Sequence, residues 1–144
     1  MSVLTALRAH LINNADIMAL TGDRVYAGMA ATAATLPYIA IHEISRTHER
    51  HVRAACGMAR SRYQLDCWAA TAAAADTIRE HIRDALDHYV GTLGSGSETV
   101  TARGVFLEND FLGFDWPTDA SETPTRRAVL EFQIVHNETV PTLA

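Results

Sequence analysis

From Ala128 to Val135 the chain alternates without a fault, with Ala128, Leu130, Phe132 and Ile134 on one side and Val129, Glu131, Gln133 and Val135 on the other. A period of two belongs to a β-strand, because successive side chains point to opposite faces of a sheet. Such a strand cannot stand alone in water. The rest of the chain must supply neighbours along its edges and an apolar layer for its inward face.

Both are legible. Tyr38 to Ser45 alternates, with Ile39 and Ile41 opposed to Tyr38, Ala40 and His42, and Pro37 sits at the entrance, where a missing ladder donor does no harm. Ser61 to Ala69 repeats the pattern through Tyr63, Leu65 and Cys67, and Thr99 to Glu108 reads as a third long strand. The covering layer comes from Ala72 to Tyr89, whose Ala75, Ile78, Ile82, Ala85, Leu86 and Tyr89 form one helical stripe behind Thr71 as cap. A first helix over residues 3 to 14 places Leu4, Leu7, Leu11 and Ala15 on one face. Asp16 then caps a short second turn carrying Ile17, Met18 and Leu20, closed at Gly22, and Arg24-Val25-Tyr26 starts a short strand.

The connections are long. Ala27 to Thr35 is Ala-rich and aperiodic, Arg46 to Arg60 reads as a projecting arm, Gly91 to Ser97 as a flexible link, and Asn109 to Thr125 as a second long loop. This order predicts an α+β fold: an antiparallel β-sheet with two α-helices packed on one face and long inter-strand loops, in a single domain over residues 1–144. The buried face is expected to hold Ile39, Ile41, Tyr63, Leu65, Cys67, Leu130, Phe132 and Ile134, packed on Ile78, Ile82, Leu86 and Leu7.

Composition narrows the function. A chain of 144 residues buries roughly 70% of its unfolded surface, enough for a core without disulfides or a structural metal. With 17 acidic residues against 12 basic ones, a net charge of −5, it lacks the basic balance of a dedicated nucleic-acid binder. No apolar run reaches the roughly 18–20 residues of a membrane span, and Met1-Ser2-Val3-Leu4 does not open a secretory signal, so the cytosol or a particle assembled there is the expected location. All 12 basic residues are Arg and 24 positions are Ala; the Arg-only usage fits paired or interfacial guanidiniums, and the same bias also arises from high-GC coding without any functional demand. Cys56 and Cys67 fit no zinc spacing and are expected to be reduced and structural.

Catalytic patterns fail on spacing. His42-Glu43 followed by His48 suggests a zinc protease, but the two His are six apart on a segment that alternates like a strand. A metal-dependent enzyme using His42, His48 and His51 is therefore kept only as an alternative of a different class. Gly94-Ser95-Gly96-Ser97 lacks the frame of a nucleophile elbow, and the absence of Lys rules out a Lys-bearing phosphate loop. Asp110, Asp115 and Asp119 lack the spacing of a calcium loop. No catalytic, cofactor-binding or metal-binding residue is assigned.

Two segments of opposite character remain. Arg46, His48, Arg50, His51, Arg53 and Arg60 make the arm basic within an acidic chain, a candidate interface or channel surface. Asp110, Phe111, Phe114, Asp115, Trp116 and Asp119 set aromatics among acids, either folded over an edge of their own sheet or offered as a docking surface for a partner.

Four stretches together resemble the small tail-completion or tail-terminator proteins of long-tailed bacteriophages and related prophage particles. They are Asn14 to Tyr26, with its Gly-Asp-Arg-Val-Tyr turn; Leu36-Pro37-Tyr38-Ile39; Tyr63-Gln64-Leu65-Asp66-Cys67-Trp68-Ala69; and Arg127 to His136. The arm and the 109–125 segment match no pattern of the family. The resemblance implies a structural virion protein without catalytic residues or cofactors. It would form a homo-oligomeric ring, usually of six, that ends the tail tube and joins the head connector or stopper while DNA passes without sequence-specific contact. Its partners would be a second copy, a tail-tube protein and the head connector, with no membrane, at the head-tail interface of the virion and in the host cytoplasm during assembly. The alternative within the same particle is another neck or tail component, such as a connector or tube subunit.

Overall fold

A computed structural model of the chain describes residues 3–28, 35–50, 55–96, 98–115 and 125–139. The elements in chain order are α1 (Val3–Ile12), α2 (Ala15–Thr21), β1 (Val25–Ala27), β2 (Tyr38–Arg50), β3 (Ala55–Ala69), α3 (Ala72–Leu86), β4 (Gly91–Ser95), β5 (Glu98–Asp115) and β6 (Thr125–Asn137). The six strands form one sheet in the order β1-β2-β3-β6-β5-β4. The fold is α+β, as the sequence pattern predicts.

The strictly alternating segment occupies the middle of that sheet. β6 pairs antiparallel with β3 along its whole length, Met58 opposite Asn137 and Ala69 opposite Arg126, and with β5 on its other edge. Tyr63, Phe132, Ile39, Ile41, Leu65, Cys67, Leu130 and Ile134 are all closed to solvent, and Leu7, Leu11, Ile17, Ile78, Ile82 and Leu86 from the helices close the same core. Every residue expected in the core is there. The register follows from the physics of a half-buried sheet, since a slip by one residue would turn Phe132 and Ile134 to the wrong side.

Differences from the sequence reading concentrate at element ends. Of the arm predicted over 46–60, residues 46–50 continue β2 and 55–60 begin β3, paired antiparallel as far as Arg50 opposite Ala55, and 51–54 lie outside the described residues. The loop predicted over 109–125 is strand as far as Asp115, because β5 keeps its ladder with β6 down to Asp115 opposite Thr125. The predicted flexible link 91–97 is largely strand β4, paired antiparallel with the start of β5 from Gly91 opposite Ala102 to Ser95 opposite Glu98. Its glycines hide the pattern: only Leu93 projects inward, and it is fully buried. The sheet is mixed rather than wholly antiparallel, because β1 runs parallel to β2, and the described residues form three helices rather than two.

The cap of α2 is Asn14, not Asp16. Asn14 has extended backbone angles, and its Oδ1 accepts from the N–H groups of Asp16 and Ile17 at 3.1 Å each. Asp16 sits inside the first turn, where a carboxylate meets the positive end of the helix dipole. Thr71 does cap α3, its Oγ1 accepting from Ala74 N–H at 3.2 Å. Thr71→Ala is expected to lower unfolding stability by about 1 kcal/mol, read as a shifted denaturant midpoint with an unchanged slope. α3 ends at Leu86, three residues short of the predicted Tyr89. His88 takes a positive φ of 63°, and the Tyr89 hydroxyl donates to Thr92 O at 2.6 Å.

Both cysteines are free, Cys56 exposed and Cys67 buried, and desolvation pushes the Cys67 thiol far above its ordinary range. A thiol-alkylating reagent at neutral pH is therefore expected to add once to the folded protein and twice after denaturation, counted by intact mass. Two additions to the native chain would place Cys67 outside the core. Among the described residues no helix is long and apolar enough to cross a membrane.

Candidate functional site

The register sets the two candidate surfaces at opposite ends of the sheet. β3 leaves the arm at Ala55, opposite Arg50, and reaches Ala69 opposite Arg126, which lies next to the end of the β5–β6 hairpin. The basic arm therefore projects from one end and the acidic, aromatic hairpin from the other.

Within the arm, alternation sorts the side chains by face. Ala59, Ser61 and Tyr63 point to the helix side, so their partners His48, Arg46 and Glu43 share that face, whereas Arg60, Arg62 and His42 take the other. Register shifts between Glu43 and Ser45 and between His48 and Arg50 add twist to β2. The arm's charge is largely matched locally. Arg46 Nε donates to Glu43 Oε1 at 3.0 Å, Arg60 Nε to Glu49 Oε1 at 2.7 Å, and Arg62 stands 3.6 Å from Glu131. His48 Nδ1 lies 2.6 Å from Glu138 Oε2. Arg50 has no ion-pair partner among the described residues and is exposed. His51 and Arg53 lie outside the described residues.

At the other end, Asp110 stands 3.9 Å from Arg79, which also pairs with Asp76 on α3. Phe111 and Leu112 are neighbours on β5 and so point to opposite faces, yet they are 45% and 44% exposed. Phe111 stands opposite Val129, which is buried, and keeps nearly half of its own surface open to solvent. Phe114 and Asp115 belong to β5 by backbone, and Trp116 and Asp119 lie outside the described residues. Sequence reasoning missed Leu112 and the exposed Ile44 (48%) of β2, because alternation assigns one of two neighbouring apolar residues to the core by default.

The His-based metal reading does not assemble. His42 Nε2 faces Asp66 at 3.4 Å on one side of the sheet, while His48 faces Glu138 on the other, and no described group of three or more ligand residues converges. A Ser–His pair is present, with Ser61 Oγ 2.8 Å from His136 Nε2 and His136 Nδ1 3.0 Å from Asn137 O. The carbonyl can only accept, so Nδ1 carries a proton, and in the neutral ring Nε2 then accepts from the Ser61 hydroxyl. Both residues are buried, so the hydroxyl is closed to a substrate and the pair serves to satisfy polar groups at the end of the core. Beside it an open groove of about 480 Å³ runs between Val3, Arg46, Thr99, Thr101, His136 and Glu138. Its lining is polar and shallow rather than a convergent catalytic constellation.

The geometry is that of a small subunit with an Arg-bearing hairpin at one end of its sheet and, at the other, a hairpin whose β5 strand carries acids and exposed apolar side chains opposite Arg126 and Arg127 of β6. No curated protein matches the chain. Among solved structures, a chain from the virion of a native gene transfer agent (GTA) particle superimposes with a TM-score of 0.71 at 17% identity, covering 94% of this chain and 95% of that one, a likeness of fold. The profile of the family described as Tail completion protein gp17 matches residues 5–137, from within α1 to the last residue of β6. With nearly every element inside that match, the chain belongs to the tail completion protein gp17 family, and it is a structural protein of a phage-type tail.

Proposed function

We propose that this protein, acting as one domain over its whole length, closes into a homo-oligomeric ring of six. The ring ends the tail tube, meets the head connector or stopper, and lets DNA pass without reading its sequence. The family match over residues 5–137 carries the reading. The placement of a basic hairpin and an acidic, aromatic hairpin at opposite ends of one sheet supports it, because a ring of identical subunits needs two different, complementary patches on each copy. Arg46, His48, Arg50, His51, Arg53 and Arg60 serve as interface or channel contacts. Asp110, Phe111, Phe114, Asp115, Trp116 and Asp119 serve as the docking surface for a neighbour or a tail-tube subunit. No catalytic step, cofactor or membrane enters this role, whose setting is the head-tail interface of the virion after assembly in the host cytoplasm.

Native mass spectrometry of the purified chain, joined to electron microscopy of tails carrying it, tests the proposal. A closed ring at one end of the tube is the expected result. A single copy per tail, or a location along the tube rather than at its end, would sink it.

A further inference from the structure

Both edges of the sheet are stepped. On one edge β1 covers β2 only from Ile39 to Ile41, with Gly28 N–H donating to Ile41 O at 2.7 Å, and no described strand pairs with the outer edge from His42 to Arg50. On the other edge β4 covers β5 from Glu98 to Ala102. His88 and Tyr89 extend that cover by bonding Val105 at 2.7 and 3.1 Å, and Leu107 N–H donates to Asp87 Oδ1 at 3.0 Å. From Glu108 to Asp115 no described strand lies beyond β5.

The two open lengths are complementary in position and direction. Ile41, Leu65, Leu130 and Asp110 stand in one row across the sheet. The open part of β2 thus runs from that row toward the arm, and the open part of β5 runs mainly toward the opposite end. Three antiparallel pairings separate β2 from β5, so the two strands run in opposite directions. A second copy in the same orientation, displaced along the strands by about one open length, sets its β2 antiparallel to the β5 of the first. β4 then falls past the neighbour's arm and the neighbour's β1 past the end of β5. Displacement of this kind is the shear that any closed sheet of tilted strands requires. Along the open lengths themselves, residues 42–50 hold Arg46 and Arg50 against Glu43 and Glu49, and residues 108–115 hold three acids and no base. Ile44, Phe111 and Leu112 add exposed apolar area along the same two lengths.

We propose that the outer edge of β5 from Glu108 to Asp115 pairs antiparallel with the outer edge of β2 from His42 to Arg50 in a second copy of this chain, joining neighbouring sheets into one. The inference rests on the ring reading and names the backbone contact that builds the ring. Unpaired strand edges are templates for such addition, with ladder bonds giving affinity and flanking side chains giving register. The register shifts of β2 raise its local twist, which suits an edge that meets a neighbour around a curve.

Hydrogen exchange of the full chain, compared between the isolated subunit and the protein seated on tails, tests the pairing. Amides of 42–50 and 108–115 are expected to slow by on the order of a hundredfold together on assembly. Leu112→Lys should leave the unfolding midpoint of the subunit in place and reduce assembly at least tenfold. Rings whose two segments exchange at the rate of the free subunit would overturn the edge pairing and leave the ring standing. A chain that stays single on tails would overturn both. Normal rings from Leu112→Lys, with 108–115 still unprotected, would likewise discard the pairing.

Discussion

Phe132→Ala is expected to remove about 3–5 kcal/mol of folding stability, a large share of the roughly 5–15 kcal/mol that holds a domain of this size. Phe132 lies at the centre of the sheet, opposite Tyr63 of β3 on one side and Leu107 of β5 on the other, and is closed to solvent. Truncation withdraws a ring from the layer between sheet and helices, and the neighbours cannot all collapse into the space, since Tyr63, Leu130 and Ile134 are held by ladders on both sides. Urea unfolding followed by circular dichroism measures the change. A midpoint equal to that of the unaltered chain would take Phe132 out of the core and reverse the face assigned to β6.

The second large effect belongs to assembly. Reversing Arg50 and Arg60 together to Glu turns the arm's surplus of positive charge into a surplus of negative charge. In the isolated subunit the cost is small, because the Arg60–Glu49 pair is solvent-exposed and such pairs contribute about 0–1 kcal/mol. At an interface with the acidic 108–115 segment the same change sets like charges face to face, with an expected loss of about 2–5 kcal/mol per contact. The loss recurs at every contact of a closed ring, so rings should vanish while the monomer's unfolding midpoint holds. Native mass spectra and unfolding curves of the same preparation separate the outcomes. Intact rings that fail only in retaining DNA would assign the arm to the channel, and intact rings with full infectivity would make it a solvated hairpin.

The fold class, the buried face and the main covering helix were legible because each rests on a local period. Ile39 and Ile41, Tyr63 to Cys67 and Ala128 to Ile134 alternate at two residues, and Ile78, Ile82 and Leu86 recur on one helical face. Burial of those faces is the dominant favourable term in folding, so pattern and structure agree where the area is largest. The family resemblance carried the role in the tail, which no single motif of the chain specifies.

What only the tertiary structure decided lies where local pattern is silent. β4 reads as a linker by composition, yet Gly91 to Ser95 is an edge strand because β5 offers a ladder and Leu93 an anchor. Asp110 to Asp115 reads as a loop because Phe111 and Leu112 break the alternation. It is strand because β6 supplies hydrogen-bond partners that do not depend on side-chain type. The parallel pairing of β1 with β2, and the placing of the two charged hairpins at opposite ends, follow from strand order, which joins residues far apart in the chain. A periodicity constrains which side of a strand is wet. Which strands meet, and which edges stay open for a neighbour, is set by long-range backbone pairing that no window of sequence contains.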